Sequence, residues 1–415
     1  MLALAALPAA VAGCAGRAPG RSEAAGPARG GGSVRPGIEV LLADSAHLVR
    51  GRRVGLVTNQ NGIDARGTSD VELLRDAGVR LVALFSPEHG FRGAADPGAA
   101  VASSVDSATG LPIYSLYGRT AAPTDTMLAG IDVMLIDLQD AGARYYTYIS
   151  TAVEVMTAAA RRGIAVVILD RPDPIGGAVQ GNVLDTAFTT FVGRLPVAMR
   201  HGMTLGEMAR AADAWLGVGL GSRLSVVPAA GWRRRAYFDE TGLPFIPPSP
   251  NLRTLEALIH YPGTCLFEGT NLSVGRGTEH AFAQVGAPWL DTARVLGALR
   301  AAAPAGVEFE GVQFTPVRPG DGKYADTLLA GIRLRVTDRG RYDPTVTAVR
   351  LLAAVRDAHP DRLGWIPRHF DRLAGTDRLR EGLVAGRPAD SLVAGWAAER
   401  AAFEARRRPY LMYPE

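Results

Sequence analysis

Cysteine is nearly absent, with only Cys14 and Cys265 in 415 residues. A disulfide framework, a dithiol redox pair and a thiolate-built zinc site are therefore excluded, because each needs several or closely spaced cysteines. An excess of charge is lacking too. The 45 basic residues stand against 41 acidic ones, a net +4, which is too weak a field to recruit nucleic acid. No apolar run approaches the roughly 18 residues that a membrane-crossing helix needs. Three signatures of nucleotide and acyl chemistry are also missing: Gly-x-x-x-x-Gly-Lys-Ser/Thr, Gly-x-Gly-x-x-Gly after the first expected strand, and Gly-x-Ser-x-Gly. No cofactor is expected. With no compact His/Asp motif, no metal is expected either, although Glu88, His89, Asp137 and Asp140 could converge.

What is present begins with a leader. Leu2 to Ala12 is rich in Ala and Leu and ends in Val11-Ala12-Gly13-Cys14, a pattern resembling the bacterial lipobox in which the Cys thiol carries lipid. No Lys or Arg precedes Arg17, so the usual basic start is missing. The expectation is an exported, membrane-anchored lipoprotein, with residues 1–14 as signal segment and Cys14 lipidated. Residues 15–36, dominated by Gly, Ala, Pro and Arg, lack any apolar period and read as a flexible tether reaching roughly 25 Å. The lipid would be the only membrane contact.

At 415 residues the chain exceeds one ordinary core of ~150 residues, and two folded domains are expected, 37–190 and 191–415. The first is an α/β unit. Four β-branched runs, at Arg53–Val57, Arg80–Phe85, Ile131–Ile136 and Ile164–Leu169, are separated by helix-length segments. Such runs are buried parallel strands in a doubly wound sheet. Ligands bind outside the carboxyl ends of those strands, where the polar tips Thr58-Asn59, Ser86-Pro87-Glu88-His89-Gly90, Asp137 to Asp140 and Asp170 to Asp173 follow. Helices are expected over 69–77, 151–162, 204–216, 345–356 and 391–407, the third carrying a capping box at Thr204 and Glu207. The second domain is smaller and α/β or α+β. The four prolines of Pro244–Pro250 must form a rigid extended connection.

Four constellations offer chemistry. Glu88 beside His89, bent by Pro87 and released by Gly90, supplies a proton donor and a group to tune it, or simply a turn. Asp137 to Tyr148 holds two carboxylates, Arg144 and three tyrosines, a mixture that suits the apolar faces and polar edges of a sugar. Arg171 can meet a substrate carboxylate or join an internal ion network. Long aperiodic stretches around Asn251 and from Glu268 to His280, including Asn271, Arg276 and Glu279, read as functional loops. The arginine runs Arg233–Arg235 and Arg406–Arg408 read as solvated edges, though they would also suit an anionic glycan.

These motifs together are similar to those of the NamZ-type exo-β-N-acetylmuramidases. The resemblance is carried by Gly55–Asn59, Phe85–Gly90, Gly110–Gly118, Asp137–Tyr148, Asp170–Gly177, Arg200–Thr204, Pro248–Asn251 and Glu268–Thr278, and runs from about Ile38 to the carboxyl terminus. It implies a Rossmann-like domain, a smaller second domain, and a cleft between them that removes N-acetylmuramic acid from the non-reducing ends of peptidoglycan fragments. By resemblance Glu88 is the general acid, with His89 beside it. Asp140 is placed in the catalytic group, while Asp137, Glu268 and Glu279 remain alternatives for its role. Asn59, Arg144, Tyr145, Tyr148, Asn251 and Asn271 are candidates for substrate contact. Arg171 or Arg276 would meet the lactyl carboxylate. Two other functions stay open: a non-catalytic lipoprotein that captures muropeptides, and an esterase or amidase using His89. The sequence carries no signal for oligomeric state.

Overall fold

Alternation within the apolar runs explains the central sheet. In Val133–Ile136, Val133 and Leu135 join one buried cluster while Met134 and Ile136 join another on the opposite face. Val167 and Leu169 divide from Val166 and Ile168 in the same way. Side chains of a strand alternate with period two, so an unbroken apolar run means that both faces are covered. The computed structural model describes residues 34–415. The leader, Cys14 and residues 15–33 of the expected tether lie outside the described residues.

The strands of this part are Arg53–Val57 (β1), Arg80–Ser86 (β2), Ser104–Val105 (β3), Pro112–Ser115 (β4), Val133–Ile136 (β5), Ala165–Leu169 (β6), Gln180–Val183 (β7), Ala198–Arg200 (β8) and Leu224–Val227 (β9). Seven of them form one sheet in the order β3-β4-β2-β1-β5-β6-β9, parallel except for β3 against β4. Helices Gly37–Asp44 (α1), Asp70–Asp76 (α2), Tyr148–Arg161 (α3) and Leu205–Trp215 (α4) cover it. The chain leaves β1 toward β2 and returns to its other side with β5, so the order reverses at β1. That is the switch point at which such sheets bind ligands.

Two expected boundaries move. The tether does not run to residue 36: Val34 is buried with Trp232 and Tyr413, and Arg35 bridges Ala230. The first sheet does not end near 190, because β9 pairs with β6 and its crossover helix is α4. The β7–β8 hairpin interrupts the strand–helix rhythm just where the boundary was expected.

The remainder is α+β. Gln284–Ala287 (β10), Val307–Phe314 (β11) and Leu329–Val336 (β12) form an antiparallel sheet ordered β10-β12-β11. Leu255–Thr264 (α5), Thr292–Ala302 (α6), Pro344–Ala358 (α7) and Pro367–Ala374 (α8) accompany it. The Thr204–Glu207 capping box forms in both directions, while the expected terminal helix breaks at Gly395 into 389–393 and 396–407.

Candidate active site

The turn after β2 is forced. His89 has φ +70° and Gly90 φ +76°; a non-glycine residue there costs on the order of 1–3 kcal/mol. The His89 ring nitrogen Nδ1, 2.8 Å from the Ala95 carbonyl, helps to hold it. That partner makes Nδ1 the protonated nitrogen, and burial pushes the imidazole pKa down. The strained residue redirects the chain so that Glu88, 8% exposed, faces a cavity of about 510 Å3. Gly98 N–H donates to Glu88 Oε1 at 2.9 Å and the Thr147 hydroxyl lies 2.6 Å from Oε2. Burial, with the Glu88 charge beside it, pushes the Tyr117 hydroxyl up to about 12, so it stays a proton donor at neutral pH.

One wall of the cavity is aromatic. Tyr145, Tyr146 and Tyr261 line it, with Tyr145 and Tyr261 edge to face at 5.6 Å. Their hydroxyls fix them: Tyr145 donates to the Pro262 carbonyl, and Tyr146 to the Pro248 carbonyl at 2.7 Å. The proline-rich connection is held in turn from the tip of β1, where Gln60 donates to the Pro247 carbonyl and Asn61 to the Ile246 carbonyl. Rigid rings with satisfied hydroxyls are a platform for a sugar face.

A neighbouring part of the lining is charged. Arg276 Nε donates to Glu268 Oε1 at 2.6 Å, its guanidinium lies 5.1 Å from the Phe282 ring centroid, and its Nη1 is buried without a partner. Lys323 Nζ lies 2.7–3.3 Å from the carbonyls of Phe267, Glu268, Thr270 and Leu272 and shares its three N–H donors among them, pinning the segment that presents Glu268. From α8, His369 and Arg372 complete the lining, the guanidinium donating to His369 Nδ1 at 2.8 Å.

Among the residues expected from sequence, the cavity thus gathers Glu88, His89, Tyr145, Glu268 and Arg276. The others stand elsewhere. Arg171 is not free for a substrate: its guanidinium is forked onto Asp137 and donates to the Ile63 carbonyl, with Asp70 4.0 Å away. Both carboxylates are fully buried, and desolvation pushes their pKa values up. Arg144 is spent on four backbone carbonyls. Asn59 donates to the Tyr148 hydroxyl at 2.7 Å, and that hydroxyl donates to the Pro248 carbonyl, so both residues buttress the wall from behind. Asn271 clamps the backbone of Arg362 and Gly364. Asn251 adjoins the lining residues Ser249 and Leu252 without being one, and Glu279 is exposed outside.

Asp140 belongs to a separate buried group. Its Oδ1 accepts from Gly142 N–H and lies 3.4 Å from His201 Nε2, while Asp173 Oδ2 lies 4.0 Å from His201 Nδ1. Burial lifts Asp173 to about 7 from 3.8. A carboxyl whose folded pKa exceeds its unfolded value stabilises fully below the unfolded value and loses that contribution as pH rises through the folded one. Stability should therefore fall between about pH 4 and pH 7, and Asp173→Asn should flatten the fall. Denaturant midpoints at pH 5 and pH 7.5 check this; an unchanged difference in the variant refutes it.

Sequence reasoning missed Tyr117, Thr147, Tyr261, Lys323, His369 and Arg372. Tyr117 and Thr147 lie inside motifs already singled out. His369 and Arg372 share a helix face and carry no local signal of a site.

The profile of the amino-terminal domain of exo-β-N-acetylmuramidase NamZ matches residues 54–256, and that of its carboxyl-terminal domain residues 259–413. The peptidoglycan β-N-acetylmuramidase NamZ of Bacillus subtilis (strain 168) is 38% identical over 383 residues, covering 92% of this chain and 91% of the relative. Two crystal structures of DUF1343 family proteins from Bacteroides fragilis NCTC 9343 are similar, at 31% identity with TM-score 0.83 and 32% with 0.74. Each comparison covers 92% of this chain and 99% of the other. With both profiles matched in order across the sheet, the cavity and α8, the chain belongs to the NamZ exo-β-N-acetylmuramidase family.

Proposed function

We propose that the cavity is the catalytic centre of an exo-acting glycoside hydrolase that releases N-acetylmuramic acid from the non-reducing end of peptidoglycan fragments, with Glu88 as general acid. The observation that carries this reading is the setting of Glu88, an 8% exposed carboxyl at the edge of an aromatic-walled hollow. The Gly98 N–H fixes one of its oxygens. The other faces a hydroxyl, which can accept from the protonated carboxyl or donate to the carboxylate. Glycoside cleavage needs that acid at the leaving oxygen and a second carboxylate to activate water, act as nucleophile or steady the oxocarbenium charge. Glu268 and Asp321 are the other carboxylates lining the cavity. Glu268, presented by Lys323 and paired with Arg276, takes the second role. The unpartnered Nη1 of Arg276 meets the lactyl carboxylate of the sugar.

Incubating the purified protein with N-acetylmuramyl-N-acetylglucosamine should release both monosaccharides. Tight binding without turnover would leave the muropeptide-capturing alternative in its place, and release of acyl groups in place of sugar would favour the esterase.

The place proposed for this activity is the cell envelope, through export and a lipid on Cys14. Cys14→Ser should move the protein from the membrane fraction to the soluble envelope fraction. Membrane retention of the variant would remove the anchor.

A further inference from the structure

The arginine runs that the catalytic reading leaves unused come together in space. Arg234, Arg235, Arg407 and Arg408 line a second hollow of about 580 Å3, joined by Arg200 from β8 and by Arg339. None of its lining residues lines the Glu88 cavity.

Carboxylates answer only part of this charge. Arg234 is forked onto Glu207, and Arg339 pairs with Asp239 at 2.8 Å. Among the described residues, Arg200, Arg407 and Arg408 make no ion pair. Arg200 is held by the Gln180 side chain, the Ile175 carbonyl and the Tyr237 hydroxyl, and Arg407 by the carbonyls of His201, Gly202 and Gly177. Both are more than nine-tenths buried, and each keeps an Nε–H without a partner. Asp173 faces Arg200, and Glu404, Glu207 and Glu415 face Arg407, but none stands at ion-pair distance; burying a cation without a close partner is costly, and a bound anion would offset that cost.

The charge balance states what kind of anion. Set against Glu207, Asp239 and the lining Glu404 and Glu415, the six arginines leave an excess of two positive side chains. A phosphate monoester carries about −1.5 to −2 at neutral pH, and guanidinium forks match its oxygens. The guanidiniums are pre-set, because those of Arg200 and Arg339 lie 5.6 and 5.0 Å from the Tyr237 ring centroid. The Glu415 carboxylate stands 3.8 Å from both Arg234 Nε and Arg235 Nε, beyond hydrogen-bond reach, as an internal anion that a better one would displace. A recess whose central guanidiniums are buried admits a protruding phosphate and not a flat bilayer surface.

We propose that this hollow is a second binding site, distinct from the glycosidase cavity, for a dianionic phosphate group. The test is isothermal titration of the full chain at constant ionic strength, with sodium chloride as reference and inorganic phosphate or glucose 6-phosphate as probe. One phosphate per chain is expected. The double variant Arg235→Gln/Arg408→Gln, at two exposed positions, should weaken it at least tenfold, Glu415→Gln should tighten it, and sugar release should stay unchanged in both variants. Tighter binding of glucose 6-phosphate than of inorganic phosphate would assign the site to a phosphosugar, and the reverse to the free ion. An affinity in the Arg235/Arg408 variant within twofold of the parent would overturn the proposal. So would phosphate acting as a competitive inhibitor of sugar release at its own binding constant, which would place the anion on Arg276. Binding to phosphatidylglycerol vesicles without binding of either phosphate probe would overturn it in favour of a lipid surface.

Discussion

Glu88→Gln should lower the release of N-acetylmuramic acid from a natural disaccharide by about 10^2- to 10^4-fold, the usual worth of a positioned general acid, or roughly 3–5 kcal/mol of transition-state stabilisation. The fold should survive, because a glutamine oxygen still accepts from Gly98 N–H and its amide can donate to the Thr147 hydroxyl that now faces Oε2. Leaving-group dependence separates an acid from the other carboxylate roles. An aryl glycoside with a good leaving group needs little protonation, so the variant should retain far more of the parental rate on it than on the sugar–sugar bond. Equal loss on both would make Glu88 the nucleophile or base, and retention of the parental rate on the disaccharide would remove it from the chemistry. Chromatographic assay of released sugar, with a thermal melt to verify the fold, reads all three outcomes.

The parallel sheet was legible because burial on both faces leaves an apolar run that cannot be mistaken, as in Ile164–Leu169. Its reversal at β1 placed the strand tips in one region, and the β2 tip does deliver Glu88 and His89 to the cavity. The other tips mislead for a common reason. Asp137 and Arg171 read in sequence as site residues, yet a deeply buried strand end has backbone and charge of its own to satisfy. Asp170 accepts from Thr204, Tyr413 and the Gly206 N–H, tying β6 to α4 and to the carboxyl terminus. Polar residue types at a strand end show that charges gather there, not which of them faces outward. His369 and Arg372 were illegible for the opposite reason: they reach the cavity only because α8 packs against the 265–269 segment, a contact between stretches about a hundred residues apart. The arginine runs, read as solvated edges, are legible only once Arg234 and Arg407 are seen buried.

Arg144→Leu should destabilise the protein by about 3–5 kcal/mol, because it strands several buried carbonyls at about 1–3 kcal/mol each. Arg144 is 3% exposed and donates to the carbonyls of Asn182, Val197, Leu373 and Ala374 at 2.8–3.2 Å. Leu373 and Ala374 end α8, where helical carbonyls have no partner of their own and a cation is favoured. One guanidinium therefore ties the β7–β8 hairpin to the helix that brings His369 and Arg372 to the cavity. The approach is tight. A Cβ on Gly375, whose φ is +67°, would lie 2.9 Å from Arg144 Nη2. Burial lowers the guanidinium pKa to about 10, which leaves it charged at neutral pH, so the leucine removes both the cation and four hydrogen bonds. Lysine has three donors and no fork, and Arg144→Lys should recover part of the loss. The role is decided by which constant moves. A structural tie predicts a lower denaturation midpoint with little change in KM for the protein that remains folded. A lysine variant that is as stable as the parent but binds substrate weakly would return Arg144 to the sugar.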